Sequence, residues 1–265
     1  MKRYLYNYQT VVRFSQPVRR HAVLLRAMPT IGSYAEVEEE HLLISPSFHL
    51  MRGTDQLGNR IAYGCWHEAH ESLVYVSTGM VSMADYRVPL DSVPLMAYRE
   101  STPLTFLSEE ELKRCGVISV PSSEKQISSA SVIENARTVC HQVHEMLNYV
   151  PGVTDANTTA SQVLANLQGV CQDYAHLMIA LCRAKGLAAR YVCGMMEGEG
   201  ETHAWVEVCD GKCWMGFDPT HDVEITQGYL KLAHGRDVSD CPVSRGIYMG
   251  NACQETEVHV LLKEI

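Results

Sequence analysis

The sequence predicts an α+β fold in two parts: an N-terminal β-sandwich module, then a domain in which a helix packs on an antiparallel sheet. Three observations carry this expectation. Short runs rich in Val, Leu, Ile and Tyr recur through residues 1–100, with turn residues between them. Apolar residues take up helical spacing from Val132 onward. Strand-like runs then return from Ala189.

Within the first part, TVVRFSQPV, HAVLLRAMP, HLLISP, NRIAYGCWHE and ESLVYVSTGMVSM read as strands. Gln16-Pro17, Ser45-Pro46 and Leu57-Gly58-Asn59 read as the turns that separate them. The polar, irregular stretch that follows sets the expected division: the β-rich module at residues 1–100, a linker at 101–122 and the second domain at 123–265. In the second part Val132, Ala136, Val139, Val143 and Leu147 predict a helix over 131–147. A shorter helix is expected over 157–167. CQDYAHLMIALCRAKG predicts a third, with Tyr174, Leu177, Met178 and Leu181 on one face and Gly186 as its C-terminal glycine. ARYVCGMM, HAWVEVCD, KCWMGFDPT and EVHVLLKEI read as strands, and no internal repeat is present.

At 265 residues the chain is long enough for a substantial core. Its formal net charge of -9 argues against broad attraction to nucleic acid or anionic membranes. No apolar run approaches the roughly 20 residues that span a bilayer. The start, MKRYLYNYQT, lacks the roughly 7–15-residue apolar core of a secretory signal. Ten cysteines at irregular spacing are therefore expected to be mostly reduced, small core residues in a cytoplasmic protein.

One of them is placed differently. Cys171 follows Gly169-Val170 and opens a predicted helix, where unpaired N–H groups and the helix dipole favour a thiolate. Further on, Asp210-Gly211 predicts a tight two-residue hairpin. In that register Cys209 faces Lys212, Trp205 faces Gly216 and His203 faces Asp218, so an imidazole and a carboxylate share one face. A three-residue loop would instead set Pro219 opposite His203. In the two-residue register Cys209 and Cys213 point to opposite faces, which disfavours a disulfide or a zinc pair. A thiol, a base and a group that orients the base are the components of nucleophilic catalysis.

These segments resemble a known family. GVCQDYAHLMIALCRAKGLAARYVCG, HAWVEV and WMGFDPT are similar, in that order, to the three core motifs of the transglutaminase-like superfamily. LKLAHGRDVSDCPVSRGIYMG resembles the tail of its bacterial branch, NYVPGVT the segment ahead of the catalytic helix, and the β-rich start its N-terminal module. The resemblance implies a papain-like catalytic fold with Cys171, His203 and Asp218 as the triad. It implies a cysteine peptidase or amidase acting on a peptide or isopeptide amide through a thioester. The alternatives are a protein-glutamine transamidase and a non-catalytic peptide-binding protein. Tyr149, Gln172 and Trp205 are candidates for the oxyanion site or the cleft, although Gln172 lies too close to the nucleophile for a papain-like oxyanion glutamine. Asp173 reads as a first-turn residue, and His176 lies roughly 140° around the helix from Cys171. Arg236, Asp237 and Asp240 read as a buried structural ion network in preference to a rim of the cleft. Cys140, His141 and His144 have metal-like spacing without further ligands. The chemistry requires no cofactor, and the expected partner is a peptide or amide substrate.

Overall fold

The computed structural model describes residues 1–117 and 129–265. The strands of the first half are β1 (Lys2–Leu25), β2 (Ala35–Ser45), β3 (Met51–Thr54), β4 (Arg60–Trp66), β5 (His70–Met83) and β6 (Arg87–Pro89). Four α-helices follow: α1 (Glu109–Arg114), α2 (Ser129–Met146), α3 (Ala160–Asn166) and α4 (Cys171–Ala184). Among them lie two short strands, β7 (Asn148–Tyr149) and β8 (Gln168–Gly169). The chain continues through β9 (Ala189–Met196), β10 (Gly198–Gly200), β11 (His203–Cys209), β12 (Cys213–Asp218) and β13 (Val223–Glu224). It closes with β14 (Tyr229–Gly235), β15 (Ser244–Met249) and β16 (Gln254–Glu264).

The expected turn at Gln16-Pro17 is instead a bend inside one long strand. Residues 4–14 of β1 lie between β16 and β5, while residues 19–25 lie between β15 and β4. The register shifts between Arg13 and Val18 against β5, and Arg20 takes a positive φ of 48°. Proline has no N–H to give to a ladder, so the strand leaves one pairing there and enters another. Val12, Phe14, Val18, Val23 and Leu73 fill the bend. Alternation places Tyr4, Tyr6 and Tyr8 on the inner face of the eight-stranded sheet.

That face packs against a six-stranded sheet, β13-β12-β11-β9-β14 with β6 beside β12. Tyr4, Tyr6, Tyr8, Tyr75 and Val81 meet Val192, Trp205, Trp214 and Leu230 in one core. On the opposite face α2, α3 and α4 bury Val139, Val163, Leu177, Met178 and Leu181 against Ala204, Val206, Val208 and Phe217. Each such aliphatic side chain contributes roughly 1.5–3 kcal/mol of burial. The six-stranded sheet is thus a middle layer, and every residue of β11 and β14 is buried. Burial on both faces removes the alternation that marks a strand, so β14 is unreadable from its pattern.

Strand pairing crosses the expected division in both directions. β15 and β16 join the eight-stranded sheet through β1, and β6 joins the six-stranded sheet through β12. The expected linker carries α1, whose Ser108–Glu111 capping box starts the helix and whose Leu112 enters the helical core. The 122/123 boundary lies outside the described residues. The other helices fall near their predicted spans, and Gly186 ends α4 with a φ of 77°. No helix among the described residues is long and apolar enough to cross a membrane.

Candidate active site

The start of α4 is held by its own sequence. The buried Asp173 carboxylate accepts hydrogen bonds from the Val170 N–H and the Thr154 hydroxyl, both at 2.7 Å. A side chain at position 169 would come within 2.5 Å of that carboxylate, so glycine is required there. This turn sets Cys171 as the first residue of the helix, half-buried and lining an open cleft of about 800 Å³. A helix start leaves its first N–H groups without partners in the preceding turn, which favours negative charge at this end.

His203 begins β11 and lines the same cleft as Cys171. Its Nε2 lies 2.7 Å from Asp218 Oδ2, and Cys171 stands near the ring in the same cleft, close enough to act on its charge. With Nε2 taken by the carboxylate, Nδ1 is the nitrogen left for the thiol. Burial alone would lower the His203 pKa. The hydrogen bond to Asp218, the charge of that carboxylate and the nearby Cys171 sulfur outweigh it and raise the value to about 9. Asp218 is fully buried, which alone would raise its pKa. Hydrogen bonds from His203, His221 and Tyr229 instead hold it far below the usual carboxylate range.

The hairpin reaches this arrangement by a different register from the predicted one. Asp210 and Cys213 flank a turn made by Gly211 and Lys212, with Gly211 at a φ of 94°. Asp210 is not itself in the turn. Its Oδ1 accepts from the Lys212 and Cys213 N–H groups at 2.7 and 2.8 Å and pins the turn one residue later. Cys209 then pairs with Trp214 and Glu207 with Gly216, a slip of two residues. Asp218 accordingly falls level with Trp205 rather than His203. Because side chains alternate with period two, a two-residue slip preserves the face, and the diagonal pair still meets. All ten cysteines are free, with burial pushing Cys182 and Cys193 up to about 12.

The remaining candidates separate. Tyr149 lines the cleft near Cys171, 54% exposed, with its backbone paired to Gly169. Gln172 does not line it; its amide donates to the Asp155 carbonyl at 3.0 Å. Trp205 is fully buried, stacks behind His203 at 6.4 Å and donates its indole N–H to Tyr86, so it backs the histidine instead of forming the cleft wall. His176 is buried, and burial lowers its pKa to about 4, leaving it neutral. Arg236 pairs with Asp240 at 2.8 Å, away from the cleft. His141 bonds Asp222 at 2.7 Å and His144 the Pro219 carbonyl at 3.3 Å, so the two diverge and pin the loop after Asp218.

Two residues not singled out in the sequence join the site. His221 Nδ1 and Tyr229 Oη each lie 2.7 Å from Asp218 Oδ2. His221 follows Asp218 by three residues and could have been suspected. Tyr229 comes from β14 and left no local signal. His203, Asp218 and His221 offer atoms within 4.8 Å of one another that could ligate a metal, but Asp218 Oδ2 already accepts from both histidines.

Residues 122–219 match the family model described as the transglutaminase-like superfamily, and residues 4–82 that of the bacterial transglutaminase-like N-terminal region. An uncharacterized Mycobacterium leprae protein is 37% identical over 124 residues, covering 43% of this chain and 44% of that protein. A Pseudomonas aeruginosa protein-glutamine gamma-glutamyltransferase is 31% identical over 127 residues, 40% of this chain and 19% of that protein. The matches thus span less than half the length of these curated relatives. A Cytophaga hutchinsonii crystal structure described as a candidate cysteine protease superposes with a TM-score of 0.76 at 20% identity, covering 100% of this chain and 91% of that one. That likeness concerns the fold.

Proposed function

Because the chain belongs to the transglutaminase-like superfamily, we propose that it is a cysteine-dependent acyl-transfer enzyme that hydrolyses a peptide or isopeptide amide. The observation that carries this reading is the His203–Asp218 hydrogen bond beside Cys171, with the thiol and the imidazole lining one open cleft. His203 takes the Cys171 proton while Asp218 holds the ring in orientation. The thiolate attacks the amide carbonyl, and the C–N bond breaks as His203 returns a proton to the departing amine. Water, deprotonated by His203, then attacks the thioester, releasing the carboxylic acid and restoring the thiol. The oxyanion is stabilised by the Cys171 N–H at the start of α4, with the Tyr149 hydroxyl as a second donor. Burial, with Cys171 and Glu201 nearby, raises the Tyr149 pKa and keeps that hydroxyl protonated.

The name of the Pseudomonas relative favours a second reading, in which a primary amine replaces water and the product is a new amide. The two share every step up to the thioester. The test measures iodoacetamide labelling of Cys171 against pH by peptide mass spectrometry, beside His203→Ala. Fast labelling well below the ordinary thiol pKa of about 8.5, lost in the variant, supports the enzyme. Labelling that rises only near that value and ignores the variant leaves a peptide-binding protein. Adding a primary amine to turnover of a glutamine-containing peptide then separates hydrolysis from transamidation by product mass.

A further inference from the structure

One wall of the cleft is the exposed edge strand β10. It pairs with β16 on one side, Gly198 with Leu262 and Gly200 with Val260, and ends the eight-stranded sheet on the other. All three of its residues are exposed and line the cleft with Cys171 and His203. Gly198 has a φ of 125°, which accounts for its glycine. Gly200 has no such need, and a side chain there would meet nothing within 4 Å. A bare backbone on a free strand edge leaves room for another backbone to lie beside it.

The charge of this wall is one-sided. Glu197, Glu199 and Glu201 are exposed at alternate positions and all line the cleft, whose lining contains no lysine or arginine. None of the three makes a salt bridge among the described residues. The charge of His203 is matched by Asp218 behind it. A cleft lined by one sign of charge concentrates ligands of the other.

We propose that the cleft takes an extended peptide bearing amine or guanidinium side chains, its backbone laid along β10 and its cations matched by Glu197, Glu199 and Glu201. This rests on the reading of Cys171 as the nucleophile at the end of that track. Substrates rich in lysine or arginine are therefore selected over acidic ones.

The test uses Cys171 as its own reporter. Three methanethiosulfonates are compared: neutral methyl, cationic trimethylammonioethyl and anionic sulfonatoethyl. In each, the Cys171 sulfur attacks the reagent's sulfenyl sulfur, a disulfide forms and methanesulfinate leaves; mass spectrometry of the Cys171 peptide gives the rate. The cation-to-anion rate ratio, divided by that of 2-mercaptoethanol, is expected to be about tenfold or more. It should collapse near 1 M salt, where screening reaches about 3 Å, and in Glu199→Gln/Glu201→Gln. A ratio near unity, or one unchanged in the double variant, overturns the charge assignment. N-acetyl-tetralysine amide should slow neutral modification of Cys171, N-acetyl-tetraglutamate amide should not, and Gly200→Val should abolish the tetralysine protection. Equal protection by both peptides, none by either, or protection indifferent to Gly200→Val overturns the docking. Failure of the nucleophile reading looks different: the neutral reagent then reacts with Cys171 no faster than with 2-mercaptoethanol, and His203→Ala changes nothing.

Discussion

Two buried carboxylate clusters lie along one face of β11, one at each end, and they are built alike but differ in what they leave open. At the inner end Glu207 is fully buried and accepts from Arg190 at 2.5 Å, Lys231 at 2.8 Å and Tyr86 at 2.7 Å. At the outer end Asp218, level with Trp205, accepts from His203, His221 and Tyr229, each at 2.7 Å. Trp205 joins the two, stacking behind His203 and donating to Tyr86, which donates to Glu207. Burial would raise the Glu207 pKa, but the charges of Arg190 and Lys231 lower it to about 2. The inner cluster is closed: Arg190 also pairs with Asp91 and lies over the Trp214 ring at 3.9 Å. All its donors are spent inside the protein. The outer cluster is open, because His203 keeps one ring nitrogen for Cys171 at the cleft. The lesson is that the same desolvated carboxylate secures the packed layers where every partner is internal, and under the proposed function serves chemistry where one partner faces out.

The sharpest way to break this comparison is to remove one member from each end. Cys171→Ala is expected to lower turnover by about 10⁴-fold or more while changing unfolding free energy by less than about 1 kcal/mol. Glu207→Gln should do the reverse, lowering stability by about 3–5 kcal/mol in urea unfolding, because Arg190 and Lys231 would be left unmatched in the interior. If the two effects trade places, the division of labour is wrong.

The clusters should also fail at opposite ends of the pH scale. The folded His203 pKa of about 9 lies above its ordinary 6.5, so its stabilising contribution is complete below 6.5 and is lost as pH rises toward about 9. The folded Glu207 pKa of about 2 lies below its ordinary 4.5, so its contribution is complete above 4.5 and is lost as pH falls toward about 2. Urea midpoints of wild type against His203→Asn should converge with alkali, and those against Glu207→Gln with acid. The smallest effects belong to the outer donors. Tyr229→Phe removes one buried hydrogen bond to Asp218 and should cost about 1 kcal/mol by thermal unfolding. His221→Ala, at a half-exposed position, should cost less than about 0.5 kcal/mol.

Legibility followed the range of the interactions involved. The start of α4 was readable because Gly169, Val170, Cys171 and Asp173 settle it among themselves, through a steric demand and a side-chain cap. The hairpin was readable in its parity but not in its register, since Asp210 could enter the turn or cap it and only the latter occurs. β14 was invisible because Lys231 and His234 interrupt a run that is buried throughout, and the carboxylate that matches Lys231 is Glu207, brought beside it from β11 only by the fold.

The sequence by itself therefore determined the local parts of this protein: a cysteine opening a helix, and a histidine and an aspartate on one face of a hairpin. Its ordered motifs also pointed to the transglutaminase-like family that the comparisons then matched. Tertiary structure alone decided the rest. It brought Tyr229 to Asp218 across 11 residues, wrapped β16 back onto β1 across the length of the chain, and set β10 beside Cys171 as a cleft wall. The physical reason is one of range. Turn chemistry, helix caps and hydrophobic period act between neighbours, whereas a buried charge or a free strand edge is defined by partners that approach only when the layers close.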